Sequence, residues 1–86
     1  MPIVLRVRGY RFSFYSADLD EPPHVHIGKD EKEAKFWINP ISVARHGRFR
    51  PQELREIERI LIAAQFDILE AWEREQRKRD NRQGEN

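Results

Sequence analysis

Three side chains in this 86-residue chain are imidazoles, the type best suited to acid–base and metal chemistry: His24, His26 and His46. Two of them stand in EPPHVHI, residues 21–27, behind two prolines and the acid Glu21. Two apart on an extended strand, His24 and His26 project to one side with Cβ atoms roughly 6–7 Å apart. That spacing permits general acid–base work on a phosphodiester, one imidazole taking the proton of a 2′-hydroxyl while the other protonates the leaving oxygen. It equally permits metal binding, with Glu21 or Asp20 as an oxygen ligand, although His46 is the only further imidazole available. The plain alternative is a pair of polar strand residues hydrogen-bonded to the preceding loop. Pro22 and Pro23 stiffen that approach and hold the imidazoles in place under any of these readings.

The elements that would carry them read with period two through the first 40 residues. Ile3, Leu5 and Val7 alternate with Arg6 and Arg8; Tyr10, Phe12 and Phe14 alternate with Arg11, Ser13 and Tyr15. Val25 and Ile27 oppose His24 and His26, and Ala34, Phe36 and Ile38 oppose Lys35 and Trp37. Four half-buried strands result, joined at Gly9, at the polar loop SADLDEPP and at the charged turn GKDEKE. A four-stranded antiparallel meander is the simplest topology.

From Pro51 the period changes. Leu54, Ile57, Leu61, Ala64, Ile68 and Trp72 recur at three- and four-residue steps, the signature of one helix face. Pro51 suits the first helical position and Glu53 the acid position of a capping box, but Arg50 offers no side-chain acceptor to complete it. The spacing predicts one long C-terminal helix, from about 51 to about 79, whole or broken in two near AAQFD, and packed on the apolar face of the sheet. The expected fold class is α+β, with residues 1–73 as a single domain. Residues 74–86 carry no apolar side chain and are expected to form a charged, disordered tail.

Packing the helix on one face leaves Arg6, Arg8, Arg11, Ser13, Tyr15, His24, His26, Lys35 and Trp37 on the other. Arginine and lysine can neutralise phosphates, and Tyr15 and Trp37 can stack exposed bases, so this face is a candidate RNA surface. A solvated face or a covered protein interface would use the same residues. The connector ARHGRFRP is a second basic cluster: beside a helix N-terminus it could form an anion pocket, and the plainer reading is an exposed link to the helix.

Composition narrows the classes. There is no cysteine, so disulfide, thiolate and Cys-nucleophile chemistry are excluded. No apolar run reaches the roughly 18 residues of a membrane span, and MPIVLRVRG is too short and too charged for a signal peptide. A cytoplasmic protein is expected, with no membrane association and no cofactor. The net charge of +1 selects no partner, but residues 1–17 contain three arginines and no acid before Asp18.

MPIVLRVRGYRFSFYSADLDEPPHVHI, EAKFWINPISVAR and ELREIERI together resemble the bacterial family of domain of unknown function 4160, over about residues 1–73. GYRFSFYS, EPPHVHI and AKFW are the marks of that resemblance. It implies a small cytoplasmic protein, often encoded beside a second small protein in an arrangement similar to toxin–antitoxin pairs. It brings no established catalytic residues. The leading expectation is therefore a component of a toxin–antitoxin-like module that binds or cleaves RNA without a metal. His24 and His26 would act as acid and base; Arg6, Arg8, Arg11, Tyr15, Lys35 and Trp37 would hold the nucleic acid. The alternatives are a non-enzymatic regulatory partner of the neighbouring protein, or a small DNA-associated module, and thirdly a metal-binding protein using the H-x-H pair.

Overall fold

The computed structural model describes residues 3–15 and 19–84. Five strands precede one helix: β1 (Ile3–Val7), β2 (Tyr10–Ser13), β3 (His24–Lys29), β4 (Lys32–Ile38), β5 (Ile41–Arg45) and α1 (Pro51–Gly84). They form one antiparallel sheet in chain order, β1-β2-β3-β4-β5. The meander is as expected, with one strand more than the four predicted. The additional strand β5 lies in ISVAR, where Ile41 and Val43 alternate with Ser42 and Ala44; Val43 pairs with Phe36 and Ile41 with Ile38.

Register fixes the two faces. Leu5 pairs with Phe12, Phe12 with Ile27, and Ile27 with Ala34, so these side chains share the face that the helix covers. Arg6 pairs with Arg11, Ser13 with His26, and His26 with Lys35, all on the opposite face. Alternation breaks after Val7. Arg8 (φ 52°) and Gly9 (φ 85°) form a two-residue hairpin turn with both φ values positive, the form that matches strand twist. Arg8 therefore leaves the face assigned to it and reaches towards the helix, its Nη1 3.8 Å from Glu56 Oε2.

The core joins Tyr10, Phe12, Phe14, Val25, Ile27, Ala34, Phe36 and Ile38 of the N-terminal half to Phe49, Ile57, Leu61, Ile68 and Trp72. Truncating one of its large members, such as Phe36→Ala, is expected to cost about 3–5 kcal/mol. The helix is continuous: AAQFD stays helical, and Gln65 Nε2 donates to Ile38 O at 2.8 Å. At 34 residues it is about 51 Å long, roughly twice the reach of the seven-residue β4. It continues across 74–84, the stretch expected to be a disordered tail. Residues 16–18 of the predicted loop and the last two of the predicted tail lie outside the described residues.

The helix start explains its imperfect sequence signal. Glu53 accepts from the Arg50 backbone N–H at 2.9 Å, half of a capping box, and also accepts from Lys32 Nζ at 3.0 and 3.2 Å. These donors, the Arg50 N–H first, hold the Glu53 carboxyl below its ordinary pKa. Phe49 and Leu54 occupy the flanking positions of a hydrophobic staple.

Candidate anion-binding site

The two ends of the sheet differ. At the end where β2 stops and β3 begins, the chain segment before His24 is tied down residue by residue. Leu19 O accepts from Gln76 Nε2 at 3.0 Å, and Asp20 pairs with Arg79 at 2.9 Å. Glu21 pairs with Lys35 at 3.0 Å, Pro22 O meets His24 Nδ1 at 2.9 Å, and Pro23 O accepts from the Ile38 N–H at 3.1 Å. A carbonyl can only accept, so His24 Nδ1 carries the hydrogen.

This strap and Trp72 enclose the histidines. His24 is 0% and His26 6% exposed, where the sequence placed both on an open face. The His24 ring centroid lies 5.2 Å from Trp72, 5.5 Å from Trp37 and 5.3 Å from His26. Trp72 in turn meets Phe14 edge-on at 5.1 Å. Trp72 Nε1 has no hydrogen-bond partner among the described residues, so this indole acts through its rings.

The other predicted contacts at this end are engaged within the chain. Tyr15 stacks on His26 at 4.0 Å and donates its hydroxyl to Glu33 at 2.9 Å. Lys35 Nζ lies 4.7 Å from the Trp37 ring centroid while bound to Glu21. Glu33 collects three groups, since His26 Nδ1 is 3.5 Å and Arg45 Nη2 3.6 Å from its Oε2. Glu33 was missed in sequence reading, although it shares the alternation of Lys35 and Trp37 and was legible there. No group of three or more His, Cys, Asp or Glu among the described residues is placed to hold a metal ion, and the described neighbours of the H-x-H pair add Glu33 alone beside His26.

At the opposite end the cations are less committed. Arg6, Val7, Arg8, Gly9, Tyr10 and Arg11 line an open concavity of about 290 Å³ around the β1–β2 turn. Arg6 and Arg11 are exposed and make no ion pair among the described residues; Arg8 has only its long contact to Glu56. The Arg11 guanidinium lies across β3 because residue 28 is glycine: a Cβ there would sit 3.1 Å from Arg11 Nη2. Lys29 adds charge nearby, its Nζ 4.6 Å from the Tyr10 ring centroid. Burial first, then the charges of Glu56 and Glu53, pushes the Tyr10 hydroxyl above its ordinary pKa, so it stays neutral beside the arginines.

The connector 46–50 supports this end. Gly47 (φ 62°) approaches β4 so closely that a Cβ would overlap the Glu33 carbonyl oxygen, 2.1 Å away. Phe49 is buried against Tyr10 at 6.0 Å, an anchor hidden in a run that reads as charged. His46 is exposed and contacts Gly47 O.

The family profile described as "Domain of unknown function (DUF4160)" matches residues 9–73. The chain belongs to the DUF4160 family. The matched span opens at the hairpin glycine and closes just after Trp72, so it contains both strand histidines, Trp72 and Arg11, but not Arg6, Arg8, Gln76 or Arg79. No curated protein and no solved structure matches this DUF4160 chain.

Proposed function

We propose that this DUF4160 protein is a binding module that holds an RNA phosphate backbone at the β1–β2 hairpin, and that its H-x-H pair is structural rather than catalytic. The observation that carries the reading is the contrast in pairing. Lys35 and Arg45 have acids beside them, whereas Arg6 and Arg11 have none among the described residues and flank an open concavity. Uncompensated guanidinium groups around a concavity attract phosphate oxygens, which they can meet in bidentate fashion. A catalytic imidazole must reach the proton it moves, and rings this deeply buried favour a packing role. Tyr15 and Trp37 already offer their faces to His26 and Lys35, which favours phosphate contacts over base stacking. The toxin–antitoxin-like setting implied by the family resemblance would make such binding regulatory.

The test is fluorescence anisotropy of a short labelled single-stranded RNA over a salt series. Arg6→Ala/Arg11→Ala should weaken binding and reduce the salt slope by about 1.4, two phosphate contacts' worth. Equal affinity and equal slope for the two proteins would sink the phosphate-binding reading. RNA cut by the wild type and left intact by a folded His24→Gln/His26→Gln variant would restore the acid–base one.

A further inference from the structure

One helix surface is not used by the sheet. Ile62 and Phe66 are 60% and 73% exposed, one turn apart on α1. At 100° per residue, Arg55, Ile62, Phe66 and Glu73 fall within about 40° of one another, roughly 130° round the axis from the buried line of Ile57, Leu61, Ile68 and Trp72. Arg55 and Glu73 are exposed and make no ion pair among the described residues.

The order of these four residues is symmetric about position 64: steps of seven, four and seven lead from the cation Arg55 to Ile62, Phe66 and the anion Glu73. We propose that this face docks against the same face of a second copy of the chain, with the two α1 helices antiparallel. In that arrangement Ile62 of each copy meets Phe66 of the other at the centre, and Arg55 meets Glu73 at both ends. On one flank Arg59 comes level with Glu70 of the second copy, a further opposite-charge pair. On the other flank Glu58 comes level with Leu69, not with an acid. A parallel pairing would instead set Arg55 on Arg55 and Glu73 on Glu73, and like charges across an interface disfavour it. Charge thus selects both the occupant and its direction, while the exposed phenyl ring of Phe66 supplies the apolar anchor.

Analytical ultracentrifugation of the full chain over a series reaching about 1 mM, a range suited to a small and weak interface, measures the pairing directly. The wild type should pass from monomer to dimer. Phe66→Asp should remain monomeric with an unchanged thermal melt, since the side chain is outside the core. Arg55→Glu/Arg59→Glu should weaken association at least about tenfold, and adding Glu70→Arg/Glu73→Arg should restore it, because every pair is then reversed. A wild type that stays monomeric throughout overturns the proposal. So does a dimer untouched by Phe66→Asp, or a fourfold variant that remains as weak as the double one.

Discussion

The two ends of this sheet use the same kinds of residue for opposite purposes. At the strap end, cations, acids and imidazoles are satisfied by one another: Arg79 with Asp20, Lys35 with Glu21, His24 with Pro22 O. At the hairpin end Arg6 and Arg11 are exposed at a concavity and make no ion pair among the described residues, while Glu56 sits beside Arg8 and Tyr10. The strap end also collects contributions distant in sequence, since Gln76 and Arg79 of the helix hold Leu19 and Asp20. The concavity at the hairpin end is local, lined by six consecutive residues. Where a polar group is buried, as His24 is, leaving its bond unmade is costly and its role becomes structural, whereas charges on the exposed hairpin remain available to a ligand.

This contrast can be broken from either end. Gly47→Ala should have the largest effect, because it combines a positive φ with a clash against the Glu33 backbone. A loss of about 3 kcal/mol or more is expected in denaturant unfolding. His24→Ala at the strap end should cost about 2–4 kcal/mol, from the cavity left among Trp37, Trp72 and His26 and from the lost bond to Pro22. Glu21→Gln removes a half-exposed ion pair with Lys35 and should cost less than about 1 kcal/mol. Arg6→Ala/Arg11→Ala should leave stability within about 0.5 kcal/mol while lowering RNA affinity, which separates a binding end from a structural one. If both ends responded alike in stability, the comparison would lose its meaning.

Acid titration sharpens the same division at the helix start. Glu53 has a lowered pKa in the folded chain, so its contribution is present above the unfolded carboxylate pKa and is lost as pH falls through the folded one. Glu53→Gln should therefore be less stable than wild type at neutral pH, with the difference fading at acidic pH, below the ordinary carboxylate range. Unfolding curves at the two pH values measure it. Tyr10 works in the other direction: its raised pKa means that folded stability declines as pH rises past the ordinary tyrosine value.

Much of the fold was legible in the sequence. Period two placed Phe12, Val25, Ile27, Ala34 and Phe36 on one face, and period 3.6 placed Ile57, Leu61, Ile68 and Trp72 on the helix side that meets them. The strand β5 was equally readable in Ile41 and Val43 but is short and lies at the sheet edge, where only Ile41 is drawn partly into the core. Arg8 was misplaced because alternation does not extend through a turn, and Phe49 because its charged neighbours disguised it. For the candidate site, alternation correctly set Arg6, Arg11, His26, Lys35 and Trp37 on one face.

By itself, the sequence determined which face each strand residue joins, where the helix stripe runs and that the hairpin would be basic, because periodicity and composition are local properties of the chain. Only the tertiary structure decided that His24 and His26 are enclosed. That outcome depends on Trp72, Gln76 and Arg79 meeting residues some fifty positions earlier. Burial is a property of what arrives from elsewhere, and no local pattern encodes it.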